Sequence, residues 1–310
     1  MLSRRQIRIK VLQSLYAFFQ GQKSDLAVAE RELFRSIDKV HELYIYLLSF
    51  LNEIADADKA DEGDLHLKFN PRTEEVNALT RLYKLKFIQT LEQSKPFRDA
   101  MIKIKMTWQN EQDLIRKIFL EIKKSDKFSK FISEENANEK DFLIDIVKNF
   151  IETSPAVRTH IEEQNIYWND DFDFAIHMVG KTIKHFYEKD TLEILPLYKD
   201  EEDDKDFARK LFAQTILHNK EFEDSISERT KNWEVERIAL MDILILKMAL
   251  AELTTFSNIP VKVTINEFID ISKEYSTPKS KQFINGVIDK LAADYKEQGK
   301  IVKVGRGLIS

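Results

Sequence analysis

Apolar side chains recur at intervals of three and four residues through most of the chain, which is the spacing of one buried helix face. The first such run, from Ile7 to Phe19, predicts a helix over 4–20 that ends before Gly21. The second predicts a helix over 26–54. This helix is apolar on nearly all sides between Leu43 and Leu51, as is typical of a buried helix.

Polar segments separate these runs from the later ones. We expect a polar loop over 55–75 and irregular structure over 126–139, and the acidic run 200–206 is either a linker or a helix entry. Pro260 and Pro278 fit helix starts. The remaining periodic runs predict helices over 74–93, 97–106, 111–123, 140–152, 156–164, 170–188, 205–218, 220–231, 234–254, 263–274 and 278–297.

Composition supports an all-α fold, because seven Gly and six Pro in 310 residues are few for the turns of a sheet protein. The chain contains no cysteine, which excludes disulfides, thiolate metal sites and cysteine nucleophiles and fits a reducing cytoplasm. No apolar run approaches the ~20 residues that span a bilayer. The N-terminus is basic and then apolar, but charges recur through Lys10, so we expect an amphipathic helix rather than a signal peptide.

Charge is distributed unevenly along the chain. The net charge of −5 divides into +5 for residues 1–24, +4 for residues 276–310 and −14 for the rest. Two basic ends suit a polyanionic partner, and an acidic middle suits a basic one. Ordinary scatter of solvated surface charge would give the same totals, so charge alone leaves both interpretations open.

No motif of catalysis or cofactor binding occurs in the sequence. The six histidines do not form a compact set of metal ligands; His177 and His185 could share a helix face, but solvated or core histidines are the default. The phosphate loop GxxxxGK[ST], the dinucleotide motif GxGxxG and the nucleophile motif GxSxG are absent. We therefore expect neither an enzyme nor a bound cofactor or metal.

Residues 233–290 carry an ordered set of motifs: WEVERIALMDILILKMALAEL, then IPVKVTINEFIDISKEY, then SKQFINGVIDK. Together with RRQIRIKVLQSLY near the N-terminus, they resemble the NusB family of transcription antitermination proteins. The resemblance covers about 1–45 and 205–297. It implies two interlocked helical bundles, formed by 1–45 and 205–297, with an inserted helical region over 46–204 and a basic tail over 298–310.

The resemblance also implies a function. Members of this family bind boxA-type RNA together with NusE, a small-subunit ribosomal protein, and act on the transcription elongation complex, chiefly in ribosomal RNA transcription. The alternative is a protein-interaction scaffold of the same fold, whose RNA face is covered or replaced by the insertion. We expect a cytoplasmic protein with no membrane partner.

Site residues follow from the resemblance by position. The RNA contacts expected on the first helix are Arg4, Arg5, Arg8 and Tyr16. Phe283 is either an aromatic at the RNA face or a core residue. The family often has Lys immediately before this Phe; here Gln282 stands there, and Lys279 and Lys281 flank the motif and join the expected RNA contacts.

Other positions have structural or partner roles under the same resemblance. Asp242 lies on the helix expected to face NusE, although a solvated helix charge is the alternative. Gly286 is expected to allow close approach of another helix. We expect the tail to add nonspecific RNA contacts. Residues 141–168 match residues 65 positions later, ending with Trp168 on Trp233; this is either a degenerate internal repeat or two amphipathic helix pairs that share a period by chance.

Overall fold

The computed structural model describes residues 1–21, 25–66, 81–134, 137–230 and 239–308. Among these residues there is no strand, and the predicted all-α class is confirmed. The described α-helices are α1 (Arg4–Gln20), α2 (Leu26–His66), α3 (Lys86–Gln93), α4 (Lys95–Ile104), α5 (Gln112–Lys123), α6 (Asp126–Ser133), α7 (Glu139–Ile146), α8 (Pro155–Gln164), α9 (Phe172–Lys189), α10 (Glu201–Leu217), α11 (Asn219–Arg229), α12 (Leu240–Thr255), α13 (Val261–Tyr275) and α14 (Pro278–Glu297).

The chain divides into two compact units. Residues 2–37 and 198–310 form one, the terminal unit, and Met1 with residues 38–197 forms the other, the central unit. Helix α2 therefore contributes its first part to the terminal unit and the rest to the central unit. The divisions after 37 and 197 differ from the boundaries after 45 and 204 that the sequence suggested, and those boundaries stay a prediction.

The terminal unit is built around α12, which is buried along almost its whole length. Helices α1, α10, α11, α13 and α14 all pack against it. Helix α1 begins where the Ser3 side chain and Gln6 form a capping box, and its apolar face from Ile7 to Leu15 turns into the core. Pro260 and Pro278 stand at the starts of α13 and α14, as the sequence predicted.

The central unit has an aromatic core around α2. The rings of Tyr46 and Trp108 stack with centroids 4.1 Å apart and almost parallel planes. The Trp108 Nε1–H donates to Ser49 Oγ at 2.9 Å, so the indole is both packed and hydrogen-bonded. Tyr46 Oη also bonds His160 Nε2 at 3.0 Å, which makes this histidine a core residue.

Two segments predicted to be irregular are helical. Helix α2 continues through His66, so a loop over 55–66 is wrong; residues 67–75 lie outside the described residues. Polar side chains are accommodated there because distant groups satisfy them: the Leu82 amide donates to buried Asp58 at 2.8 Å, and Lys123 pairs with Asp61 at 2.5 Å. The irregular structure over 126–139 is also wrong up to Ser133, because α6 occupies 126–133.

Helix α6 forms because the Ser125 hydroxyl accepts a hydrogen bond from the Phe128 amide, and Phe128 and Phe131 are buried near the Phe142 ring.

The helix predicted over 74–93 is shorter than expected. Its first residues, 74–80, lie outside the described residues. A 3₁₀ turn at Leu82–Lys84 precedes α3. The run 200–206 is a helix entry, with Asp200 capping an acidic first turn.

When the chain is aligned with itself at an offset of 65 residues, helices of the structure align with other helices. It maps α8 (Pro155–Gln164) onto 220–229, within α11, and α9 (172–189) onto 237–254, most of which is α12. Trp168 is buried in a 3₁₀ turn, whereas Trp233 lies outside the described residues. The internal repeat therefore stays a prediction, supported by matching helix positions.

Candidate nucleic-acid interface

The three arginines of α1 all meet carboxylates of the terminal unit. Arg8 is the most enclosed, with 3% of its side chain exposed against 0% for Glu252 of α12. Its Nε and Nη2 donate to the two carboxylate oxygens of Glu252 at 2.6 and 2.8 Å. The Thr264 hydroxyl donates to the same carboxylate at 2.8 Å. Arg8 is therefore one half of a buried, bidentate ion pair and does not face solvent.

Arg5 lies nearer the surface on the same helix. Its Nε and Nη2 donate to Glu267 at 3.1 Å each, and Nη2 also donates to Asp270 at 2.8 Å. The hydrogen bonding to the Glu267 carboxylate, more than any other contact, raises the pKa of Arg5 above its usual value. About a third of the side chain stays exposed, so Arg5 is held by two carboxylates and remains partly open to solvent.

Arg4 lines a cleft at the start of α1. Its guanidinium lies 4.2 Å above the Phe207 ring and pairs with Asp203 and, at 3.4 Å, with Asp204. We name this the terminal cleft; it encloses about 940 Å³ and lies within the terminal unit. Basic residues around it are Arg4, Arg5, Arg8, Lys210 and Arg306, and acidic ones are Asp203, Asp206 and Glu267. The cleft is thus mixed in charge with a small basic excess.

The other predicted site residues are split between surface and core. Tyr16 is 40% exposed, and Lys281 is exposed at the start of α14. Phe283 is only 6% exposed, so the core-packing alternative describes its position. Asp242 is also buried and accepts a hydrogen bond from the Ser276 hydroxyl, so it is not a solvated helix charge. The side chain of Lys279 lies outside the described residues.

The basic tail is docked onto the terminal unit. Lys303 Nζ donates to the carbonyls of Leu253 and Phe256, at 3.0 and 2.8 Å, which places a cation at the C-terminal end of α12. Lys300 pairs with Glu221 at 2.8 Å. Arg306 is exposed and lines the terminal cleft. Two of the three cationic side chains of the tail, Lys300 and Lys303, therefore already have partners inside the terminal unit.

Gly286 does not serve a close helix contact. It is exposed on α14, and a Cβ built there would meet no described atom within 4 Å. The expectation of close helix approach at this position is wrong. Its neighbour Asn285 is exposed as well, so this part of the FING motif lies on the surface.

Sequence reasoning did not predict which acids hold the arginines. Glu252 and Lys247 were the available signals, because each is a charge inside a helix whose residues are mostly apolar. Such charges are usually paired when buried, and Lys247 does bond Asn219 and Glu223 at 2.7 and 3.0 Å. The sequence could have indicated buried ion pairs on α12, but not their partners.

The described ranges show neither a group of metal ligands nor a membrane-spanning helix. No group of three or more His, Cys, Asp or Glu side chains there is arranged to hold a metal ion. None of the helices described is both long and apolar enough to cross a membrane.

Comparison with known proteins places these residues in a family context. Residues 172–293 match the NusB family. The match begins at Phe172, ahead of the start at 205 suggested by the sequence, so α9 falls within it. No solved structure matches this chain significantly.

Three curated relatives share the name "Transcription antitermination protein NusB". The relative from Salinibacter ruber is 46% identical over 105 residues, which are 34% of this chain and 66% of the relative. That from Chloroherpeton thalassium is 38% identical over 105 residues, 34% and 50% of the two chains. That from Dictyoglomus turgidum is 38% identical over 95 residues, 31% and 66%. The match thus spans between half and just under two thirds of these relatives, and the resemblance seen in the sequence is confirmed.

Proposed function

We propose that this protein, which carries a NusB family domain over residues 172–293, is a cytoplasmic transcription antitermination factor that binds RNA. We propose boxA-type RNA as its ligand and NusE as its protein partner. The process would be antitermination by the transcription elongation complex, chiefly in ribosomal RNA operons. The observation that carries this proposal is the exposed side of α1.

Arg5 and Tyr16 lie eleven residues apart on α1, which is about three helical turns. They therefore fall on the same side of the helix, roughly 16 Å apart. Both side chains have exposed surface. A guanidinium suits a phosphate, and an aromatic ring suits an unstacked base, so this spacing fits single-stranded RNA.

Burial changes the set of proposed contacts. Arg4, Arg5, Tyr16, Lys279 and Lys281 remain proposed RNA contacts. Arg8 and Phe283 are left out because their side chains are enclosed. In our proposal Arg8 anchors α1 through Glu252.

Asp242 also has an indirect role in this proposal. Its carboxylate is buried and holds the Ser276 hydroxyl, just before α14 begins. We therefore propose that Asp242 positions a surface that faces NusE and does not contact NusE directly.

A scaffold function is the second candidate, and one observation favours it. Every arginine of α1 already has carboxylate partners within the terminal unit. Neutralised cations attract a polyanion less strongly than unpaired ones. In this alternative the protein binds NusE or another protein and has no RNA affinity of its own.

Binding of a boxA-type RNA, with and without NusE, separates the two candidates. The informative variant is Arg5→Gln, because Arg8→Glu would bury a second negative charge beside Glu252 and unfold the site. We expect tight binding to require NusE and to weaken about tenfold in Arg5→Gln, the loss of one charged hydrogen bond. The matched control is Arg35→Gln, at an exposed arginine of α2 in the same unit.

Each outcome is decisive. Unchanged affinity in Arg35→Gln with a loss in Arg5→Gln supports RNA binding by α1. Binding of NusE with no RNA affinity in any variant supports the scaffold. Failure to bind either NusE or RNA contradicts both functions.

A further inference from the structure

A second basic surface lies in the central unit, at a small cleft of about 140 Å³. We name it the central cleft. One wall is the π-helical turn Val147–Ile151, which carries Lys148, and the other is the exposed face of α9. The charged and titratable residues that line it are Lys148, Glu152, Asp173, His177, Lys181 and Lys184.

The three lysines are available to a ligand. None of them forms an ion pair with any residue that the structure describes, and Lys181 and Lys184 are exposed. Of the two acids, Asp173 is already paired with Arg158 at 2.5 Å, which leaves Glu152. The cleft therefore has an excess of positive charge that no neighbouring carboxylate removes.

The basic residues of α9 that line the central cleft share one helix face. His177, Lys181 and Lys184 follow each other at intervals of four and three residues, and they span about 10 Å of helix axis. Burial first, and then the charges of Lys181 and Lys184, lower the pKa of His177. The histidine thus experiences both lysines at once, as an anion bound in the cleft would.

The local backbone keeps the cleft open. Gly180 lines it from within α9, and a Cβ there would meet only Ile144 Cδ1, at an ordinary 3.8 Å. Packing does not require glycine at this position, although glycine inside a helix costs about 1 kcal/mol relative to alanine. The facing π-helical turn is a second irregularity of a kind that is frequent at functional sites. Both features favour a ligand site over a filled surface.

We propose that the central cleft binds the backbone phosphates of single-stranded RNA through Lys148, Lys181 and Lys184, without reading the bases. The contact is sequence-independent because lysine binds phosphate as a point charge and no Phe, Tyr or Trp ring lines the cleft. It extends beyond the function proposed for α1, since it gives the central unit an RNA contact of its own.

The test measures binding of a mixed-sequence single-stranded RNA by fluorescence anisotropy, without NusE, over a series of salt concentrations. The variant carries Lys148→Gln, Lys181→Gln and Lys184→Gln. Each phosphate contact on a single strand contributes about 0.7 to the slope of log K against log salt, so this slope should fall by about 2. The matched control carries Lys117→Gln, Lys124→Gln and Lys130→Gln, three exposed lysines of the same unit that do not line the cleft.

An equal slope in the two triple variants overturns the proposal, as does wild-type protein that binds no RNA. A second readout is the reactivity of Lys181 and Lys184 toward acetylation, which RNA should suppress. If inorganic phosphate protects these lysines but the cleft variant binds RNA normally, the site takes small anions and the RNA proposal is wrong. An effect of Arg5→Gln on boxA binding with NusE is a separate result, so the two proposals can fail independently.

Discussion

Replacing Arg8 with methionine should strongly destabilise the terminal unit. The change keeps a long unbranched side chain but leaves the fully buried carboxylate of Glu252 without its bidentate partner. The Thr264 hydroxyl would still donate to it. Breaking a buried ion pair by removing one partner costs about 3–5 kcal/mol. The two charged hydrogen bonds to Glu252, of 2.6 and 2.8 Å, give a similar figure at about 1.5–3 kcal/mol each, and a longer one to Glu267, of 3.3 Å, is lost as well.

The assay is urea unfolding followed by far-UV circular dichroism. Tryptophan fluorescence is less suitable, because Trp108 and Trp168 belong to the central unit and add its signal to any signal from the terminal unit. The double variant Arg8→Met/Glu252→Gln should recover most of the lost free energy of unfolding, because a neutral amide replaces the unpaired charge. Arg35→Met, at an exposed position, should change stability by no more than about 0.5 kcal/mol.

One result would refute this reasoning about Arg8. If Arg8→Met costs less than about 1 kcal/mol and nevertheless weakens RNA binding, the arginine contacts RNA and its burial is not what maintains it. A double variant no more stable than Arg8→Met would show that Glu252 is satisfied without the arginine.

Three further predictions concern stability. Gly286→Ala should raise the free energy of unfolding by about 0.5–1 kcal/mol, because the new methyl group meets open space on a helix; a loss would reveal a contact there. Lys303→Met should lower it by about 1–3 kcal/mol, since two carbonyls at the end of α12 lose their donor, whereas exposed Lys290→Met should not. Burial lowers the pKa of His160, against a smaller raising effect of Glu111, so the unfolded chain binds protons more tightly. Stability should therefore fall as pH drops below about 6.5, by up to about 1.4 kcal/mol per pH unit, and His160→Gln should flatten this decline in urea titrations at several pH values.

Local signals made parts of the fold predictable. Helix α1 begins and ends where the sequence indicated, because Ser3 and Gly21 bound an uninterrupted apolar period. Helix α2 was predicted too short, because its polar continuation depends on partners such as the Leu82 amide, which the sequence does not place beside Asp58.

The candidate site was predictable only in part. The basic and aromatic residues of α1 stood out, but their burial depends on where α10, α12 and α13 pack. Arg5 and Arg8 have the same side chain and lie one turn apart, yet one is exposed and the other is enclosed by Glu252. Spacing along one helix cannot separate them, since the acids come from positions more than 240 residues later in the chain.

The exposed ring of Tyr16 gives the most direct test of RNA binding by α1. The measurement is the affinity of Tyr16→Ala for boxA-type RNA in the presence of NusE, with Leu217→Ala as an exposed apolar control in the same unit. Stacking on one base contributes about 1–3 kcal/mol, so affinity should fall at least fivefold in Tyr16→Ala while its unfolding curve and the control stay unchanged. Wild-type affinity in Tyr16→Ala would contradict the account and place the RNA elsewhere on the protein.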